Sequence, residues 1–320
     1  MRIIISLIIC VTLSISSIYG QVTPSKFENI AYLLTFGPAS TPAWGDDDHV
    51  QIHFFVVPKT ETRPIFIRVY DPSTGGEIDT KNGAFDTKTS FTIYGGKGAY
   101  SQKEARAINP RANYDKGRMI DRKVFSNEAK YDKKWYSFGP INPKEGEYSE
   151  DMNGYVFKVI CKGLSGNDGN AYLYSLSYKA DANIAVEGGN TFTYEMCFRL
   201  KPGIKETAHV YPFINKDVIS IEQHNFDADH DVDMRLTSVT KKLNYVKESG
   251  NGVWSSSLHK IDEGEKNTSI DFQLIKKTDS YNDMVIYFLN QYNEAVPFFS
   301  TPIGGVPKYK YKIDVNYKFD

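Results

Sequence analysis

Strict alternation of apolar and polar side chains is the feature that most constrains how this chain folds. One run has an apolar residue at every second position, at Tyr309, Tyr311, Ile313, Val315, Tyr317 and Phe319. A second run alternates in the same way, at Phe192, Tyr194, Met196 and Phe198. Successive side chains of a β-strand point to opposite faces, so this spacing is typical of strands with one buried face. The sequence therefore predicts an all-β fold of antiparallel sheets with little helix.

Further strand candidates are rich in Ile, Val, Phe, Tyr and Thr, which fit a pleated and half-buried surface. They cover residues 50–57, 65–70, 90–94, 155–161, 171–178, 191–199, 218–222, 269–276 and 284–289. Clusters of Gly, Asn, Asp and Pro separate these segments and predict turns. Because the turn at residues 165–170 joins two strand candidates, we expect residues 155–178 to form a hairpin.

The length of 320 residues suits two domains of about 150 residues each. The segment at residues 178–187 has the composition of a linker. We therefore expect two antiparallel β-sandwich domains, of jelly-roll or immunoglobulin-like type, at residues 21–180 and 181–320. Residues 98–154 hold the most polar and least periodic sequence, which predicts a long polar insertion in the first domain.

Residues 1–20 have the pattern of an export signal peptide. Arg2 gives the positive start, residues 3–11 form an apolar core, and Gly20 supplies the small residue before the cleavage site. The apolar run is shorter than the ~20 residues of a membrane-spanning helix. We therefore expect an exported chain, in the periplasm, at the cell surface or outside the cell, with no membrane span after cleavage.

Export leaves Cys161 and Cys197 in an oxidising compartment, where two cysteines can pair. Cys161 shares its strand register with Phe157 and Val159, whereas Cys197 lies on the polar register of its strand. The two side chains then face opposite ways, which weakens the case for a disulfide. Both alternatives stay open on the sequence alone.

The charge balance and the absence of nucleotide and nucleophile motifs exclude several classes of function. Lys and Arg total 38 and Asp and Glu total 39, so no broad basic field favours nucleic acid as a partner. Residues 95–98 lack the spacing of a phosphate-binding P-loop, and residues 163–166 lack that of a nucleophile elbow. We therefore predict no catalytic residue and no organic cofactor.

Four carboxylates occupy every second position at Asp227, Asp229, Asp231 and Asp233. Ca²⁺ prefers six to eight oxygen ligands, and the first three acids match the start of a calcium-binding loop. Val232 stands where such a loop has Gly, so the match is partial. These four residues form the candidate calcium site, and the alternative is a strand edge with an acidic face toward solvent.

A second acidic cluster, Asp46 to Asp48, precedes His49 and a strand candidate, and a solvated turn is its favoured interpretation. His49 and His53 are four positions apart. On a strand that separation is about 13 Å, which is too far for one zinc ion. We therefore expect no zinc site here.

The chain contains 22 Tyr, 19 Phe and 3 Trp. Exposed Tyr and Trp rings line the sugar platforms of carbohydrate-binding sandwiches, and the alternative is that they cover the edge of a core. Trp44, Trp135, Tyr136 and Trp254 lie in loop-like sequence and are the candidates for a platform.

Four strings in the chain resemble those of a group of exported bacterial envelope proteins. They are WGDDDHVQI at residues 44–52, YDPSTGG at 70–76, YGGKGAY at 94–100 and AVEGGN at 185–190. Some members are similar to the exported front portion of longer proteins that end in a peptidoglycan-binding, OmpA-like domain. The resemblance implies a β-sandwich protein of the cell envelope. It transfers no catalytic residue, and where Val232 stands those relatives have Gly.

These observations favour a non-catalytic binding or structural module of the bacterial cell envelope, stabilised by calcium if residues 227–233 bind it. Its predicted partner is an envelope protein or a glycan. The alternative is a secreted hydrolase or a carbohydrate-binding accessory protein that acts on a surface polymer.

Overall fold

The computed structural model describes residues 21–41 and 49–305. The export signal, Trp44, the acidic cluster at 46–48 and the alternating run at 309–319 lie outside the described residues, and what the sequence indicates for them stays a prediction.

The described chain is nearly all β-strand, which confirms the predicted fold class. In the first half the strands are β1 (Gln21–Thr23), β2 (Ile30–Phe36), β3 (Val50–Pro58), β4 (Ile65–Tyr70), β5 (Lys88–Gly95), β6 (Arg118–Phe125), β7 (Trp135–Ile141), β8 (Glu147–Ser149), β9 (Gly154–Ser165) and β10 (Gly169–Ser177). In the second half they are β11 (Asn190–Thr193), β12 (Glu195–Leu200), β13 (Thr207–Ile214), β14 (Ser220–Phe226), β15 (Val232–Thr237), β16 (Asn244–Val246), β17 (Trp254–Lys260), β18 (Thr268–Ser269), β19 (Asp271–Lys276), β20 (Asn282–Asn290) and β21 (Phe298–Phe299). Short 3₁₀ turns occur at Lys103–Arg106, Asn113–Asp115, Ala129–Tyr131, Pro143–Glu145 and Glu263–Glu265. In the described ranges, no helix has the length and apolar character needed to cross a membrane.

The strands form two antiparallel sheets. The nine-stranded sheet has the order β17-β14-β20-β12-β2-β10-β4-β7, with β1 beside β10. The twelve-stranded sheet has the order β16-β15-β19-β13-β21-β11-β3-β9-β5-β6, with β18 beside β13 and β8 beside β9. Strands from both sides of residue 180 pair in each sheet, since β2 pairs with β12 and β3 pairs with β11. The division into two domains at that residue stays a prediction.

Two local predictions were wrong for the same reason. The expected hairpin at residues 155–178 does not form, because β9 lies in the twelve-stranded sheet and β10 lies in the nine-stranded sheet. The expected single strand at 191–199 is split at Tyr194, where the chain passes from β11 in one sheet to β12 in the other. Period-two alternation continues unbroken through such a crossing, because both strands still bury one face.

The main core lies between the two sheets. It contains Ile67, Tyr172 and Phe198 of the nine-stranded sheet and Phe91 and Phe157 of the twelve-stranded sheet. The Phe91 ring meets the Tyr172 ring across the interface, at a centroid distance of 5.1 Å and an interplanar angle of 88°. Edge-to-face pairs of this kind add to the stability that burial of apolar surface supplies.

Each sheet also carries a smaller apolar cluster on its outer face. On the twelve-stranded sheet, Phe54 and Phe192 stack at 5.0 Å and pack with Ala105 and Tyr100 from residues 98–117. On the nine-stranded sheet, Leu34, Ala171, Cys197 and Val285 pack with Ile78 and are joined by Phe36 and Phe226. The two long connections at residues 71–87 and 98–117 therefore cover apolar outer surface.

A buried lysine anchors the connection over the twelve-stranded sheet. The Lys158 ammonium donates to the carbonyl oxygens of Tyr114 and Lys116, at 2.5 and 2.7 Å. Burial lowers the pKa of Lys158 to about 8. The region expected to be a polar insertion, residues 98–154, thus contributes a packed cover and three strands, β6 to β8.

Candidate functional site

A row of partly exposed side chains crosses the outer face of the nine-stranded sheet. In β-sheet register, Trp135 of β7 lies opposite Tyr70 of β4, and Tyr70 lies opposite Leu173 of β10. Tyr32 of β2 lies opposite Arg199 of β12, and Arg199 lies opposite Asp283 of β20. We call this set the aromatic row: Trp135, Tyr70, Leu173, Tyr32, Arg199 and Asp283.

The two parts of the row meet in the middle of the sheet. The pairing of β10 with β2 ends at Tyr172 and Leu33, and Leu173 and Tyr32 each lie one position beyond this pair. Side chains at register positions in neighbouring strands share a face and are spaced by about 4.8 Å. Six strands therefore carry the row over roughly 24 Å.

Strand parity explains why these side chains face outward. Ile65, Ile67 and Val69 of β4 lie in the main core, so Tyr70 lies on the opposite face. In β7, Tyr136 packs against the main core, and the preceding residue, Trp135, lies on the outer face.

The Trp135 ring is held in place from two sides. Its centroid lies 5.4 Å from that of Tyr70, at an interplanar angle of 53°. The Arg68 guanidinium lies 5.0 Å from the ring centroid, within the range of a cation–π contact. Arg68 itself is fixed by donating from Nε to Ser137 Oγ, at 3.0 Å. The ring is thus presented on a rigid support.

The tyrosine rings of the row are neutral at physiological pH. Burial raises the pKa of Tyr32 and that of Tyr70 above the usual 10, and the neighbouring Asp71 carboxylate adds to both shifts. Each hydroxyl therefore keeps its proton and can both donate and accept a hydrogen bond. A ligand on the row meets flat apolar rings with polar edges.

A charged pair ends the row. Arg199 donates to both carboxylate oxygens of Asp283, at 2.6 and 2.7 Å. The same guanidinium donates to the carbonyl oxygen of Ile78 at 2.6 Å and to Thr80 Oγ1 at 2.5 Å. Tyr281 is 62% exposed, and its ring lies 5.8 Å from the guanidinium carbon. Arg199 thus ties the row to the connection at residues 71–87.

Buried carboxylates hold that connection against the sheet. Asp79 accepts from the backbone amides of Gly75 and Ala171, each at 2.6 Å. Asp168 accepts from the amides of Asn82, Asp86 and Thr87, at 2.9, 3.0 and 3.2 Å. Fixed in this way, the connection forms one border of the aromatic row.

The candidate calcium residues lie just beyond the Asp283 end of the row. Asp227, Asp229 and Asp231 lie in the connection between β14 and β15, and Asp233 lies in β15. Asp227 Oδ1 accepts from the Gly252 amide at 2.7 Å. Burial raises the pKa of Asp227 to about 6, and the nearby Asp229 and Asp283 carboxylates add to the shift.

Lysine side chains neutralise part of this acidic loop. The Lys276 ammonium lies 3.6 Å from Asp231 Oδ2, and the Lys277 ammonium lies 3.8 Å from Asp233 Oδ1. In residues 21–41 and 49–305, no three His, Cys, Asp or Glu side chains are grouped so that they could hold a metal ion. Calcium binding by the four aspartates stays a prediction.

The two cysteines are buried on opposite faces of their sheets, and no disulfide joins them. Cys161 lies in the main core, whereas Cys197 lies in the outer cluster of the nine-stranded sheet. Burial raises the pKa of Cys161 to about 12. The opposite registers noted in the sequence thus correspond to separate thiols.

Sequence reasoning found only part of the row. Trp135 was a platform candidate and lies in the row, whereas Tyr136 packs against the core and Trp254 lies at the start of β17, outside the row. Tyr70 and Tyr32 were missed. The alternation in β4 could have identified Tyr70, because Ile65, Ile67 and Val69 occupy the odd positions that face the core and Tyr70 falls on the opposite face.

Comparisons with known proteins add no name to this site. No protein-family model matches the sequence, and a search of curated proteins found no match.

Proposed function

We propose that this chain is an exported, non-catalytic module of the bacterial cell envelope that binds a polysaccharide on the aromatic row. The observation that carries the proposal is the register of three partly exposed rings on one sheet: Trp135 of β7, Tyr70 of the adjacent β4, and Tyr32 of β2, which lies one strand further on beyond Leu173 of β10. An envelope glycan is the predicted partner, and an envelope protein is the alternative.

The chemistry of the row suits a sugar chain. A pyranose ring presents a face of C–H groups that packs on an aromatic ring, while its hydroxyls need donors and acceptors at the rim. The Tyr32 and Tyr70 hydroxyls and the Arg199–Asp283 pair offer both kinds of group. Because the rings are already ordered on the sheet, binding costs little additional side-chain entropy.

The same geometry favours binding over hydrolysis. Glycoside hydrolysis uses two carboxyl groups that flank the scissile bond, one as a proton donor. Asp283, the carboxylate of the row, is bonded through both oxygens to Arg199. Both carboxylate oxygens are thus engaged as hydrogen-bond acceptors, which suits contact with sugar hydroxyls.

Co-sedimentation with insoluble polysaccharides tests the proposal. The protein is mixed with purified peptidoglycan, chitin or cellulose, and the bound fraction is measured as the polysaccharide is increased. We expect saturable binding to at least one of them and no release of reducing ends. Release of reducing ends would favour the hydrolase alternative, and no binding to any glycan would overturn the proposal.

Calcium binding to the acidic loop is a second, separable proposal. An ion that binds only the folded chain stabilises it by RT ln(1 + [L]/Kd), which raises the melting temperature by a few degrees for a chain of this size. We expect calcium to give this shift in the wild type and not in Asp229→Ala. An equal response of both proteins, matched by sodium at the same ionic strength, would contradict it.

A further inference from the structure

A buried lysine lies beside the acidic loop that joins β14 to β15. Lys276 is the last residue of β19, lies opposite Val232 in β-sheet register and is 1% exposed. Leu274, two positions earlier in the strand, belongs to the main core, so Lys276 lies on the same inner face. The lysine side chain therefore meets the loop from the interior of the protein.

The Lys276 ammonium has no hydrogen-bond acceptor among the described residues. Asp231 Oδ2 lies 3.6 Å from the ammonium nitrogen, which is too long for a hydrogen bond but within the range of an ion pair. A lysine ammonium has three donors, and burying it without acceptors costs free energy. The attraction between Lys276 and the loop is therefore one of charge.

A buried amide group at the loop also has unused hydrogen-bonding capacity. Asn282 of β20 is 4% exposed, and its Nδ2 donates to the Asp227 carbonyl oxygen at 3.1 Å and to Asp229 Oδ2 at 3.3 Å. Its Oδ1 atom has no donor among the described residues, although buried polar groups nearly always have a partner. Amide oxygens are ligands that Ca²⁺ accepts beside carboxylates, so Asn282 adds an oxygen of that kind at the loop.

The charges of the loop both repel one another and attract the lysine. Burial raises the pKa of Asp229, and the Asp231 carboxylate adds to the shift. Burial lowers the pKa of Lys276, and the Asp231 and Asp229 carboxylates act against that shift. A cation beside these two acids relieves their repulsion. Because Lys276 is tethered to the sheet, it supplies that cation at a high effective concentration.

We propose that the Lys276 ammonium is a built-in competitor of calcium, which binds the acidic loop only by displacing the ammonium from Asp229 and Asp231. The inference rests on the proposed calcium binding of the loop and names the residue that sets its affinity. An ammonium and a divalent cation repel each other strongly at short distance, so both cannot lie against the same carboxylates. Lys276 therefore weakens calcium binding.

Calcium titration by calorimetry on the whole chain tests the proposal. Lys276→Met removes the charge and keeps the length of the side chain, and we expect the Kd for calcium to fall by at least about tenfold. Lys277→Met is the matched control. Lys277 lies 3.8 Å from Asp233 Oδ1 but pairs with Glu248 at 2.7 Å, so its loss should change the Kd by less than about threefold.

Two further variants show whether the charge of Lys276 is the cause. Lys276→Gln, a second uncharged variant, should also bind calcium more tightly, whereas Lys276→Arg keeps the charge and should bind like the wild type. Calcium binding by the uncharged variants but not by the wild type would support the competitor role and refute calcium binding by the unmodified chain. Equal Kd values in wild type and Lys276→Met, or no calcium binding by either uncharged variant, would overturn the inference.

Discussion

Two neighbouring residues of β7 illustrate how the two faces of the nine-stranded sheet differ. Tyr136 packs against the main core, whereas Trp135 lies outside on the aromatic row. The same division separates Tyr172, which is fully buried, from Leu173, the next residue along β10. Alternate residues of the same strands thus face two different environments.

The difference teaches how one sheet can support a fold and a binding surface at once. Fully buried inner rings such as Tyr172 and Phe198 lose all contact with water on folding, so their removal leaves a cavity and costs stability. Rings of the outer row keep part of their surface in contact with solvent. Their removal should change ligand affinity far more than the free energy of unfolding.

Truncating an inner ring should have the largest effect on stability. Phe198 is fully buried in the main core, and Phe198→Ala should lower the free energy of unfolding by about 3–5 kcal/mol. Urea denaturation measures this change, with Phe27→Ala as the control because Phe27 is 76% exposed. An equal loss of unfolding free energy in the two variants would contradict the distinction between inner and outer rings.

The border of the row should contribute the next largest effect. Asp168→Ala removes the acceptor of three backbone amides at residues 82–87, and we expect a loss of about 3 kcal/mol. The exposed neighbour Asp86 supplies the control, Asp86→Ala. Because Arg199 donates to Ile78 and Thr80 in this connection, Asp168→Ala should also weaken glycan binding. Unaltered stability would show that Asp168 does not hold the connection.

The sequence predicted the strand composition because one buried face imposes period two whatever the partner strand is. It did not predict which sheet a strand joins. Phe192 and Phe198 continue one alternating run, yet they lie in different clusters of different sheets. The sheet that a strand joins depends on long-range pairing, such as that of β2 with β12. Local periodicity carries no information about that pairing.

The aromatic row follows the same rule. The sequence shows which face of its own strand each ring occupies, but the row exists only because β7, β4, β10, β2, β12 and β20 become neighbours. Local spacing does not record the backbone of the acidic run either. The chain bends at Asp227, Asp229 and His230, which have positive φ, and Asp233 belongs to the next strand, while calcium binding by these residues stays a prediction.

A smaller effect should come from Asp227, in the acidic loop just beyond the Asp283 end of the row. The pKa of Asp227 is raised from 3.8 to about 6, so the folded chain binds its proton more tightly than the unfolded chain does. This group therefore lowers stability above pH 6, and the loss is relieved as the pH falls through 6 toward 4.

Asp227→Asn should remove that pH dependence. The amide oxygen can still accept from Gly252, so we expect the variant to be more stable than the wild type at pH 7 by about 1 kcal/mol, allowing for water that reaches the loop. The difference should vanish near pH 4. Asp71, whose pKa is also raised to about 6, is present in both proteins, so its contribution cancels. A variant that is less stable at pH 7 would show that the ionised carboxylate stabilises the loop.

The most direct test of the central claim compares two tryptophans that are both on the protein surface. Trp135 lies in the aromatic row, and Trp254 lies outside it, at the edge strand β17. The affinity of each alanine variant is measured on the polysaccharide that retains the wild type. We predict that Trp135→Ala loses at least about tenfold in affinity, or 1.4 kcal/mol, while its unfolding free energy changes by less than about 1 kcal/mol. Trp254→Ala should bind like the wild type. Wild-type affinity in Trp135→Ala, or an equal loss in both variants, would contradict the assignment of the row as the glycan site.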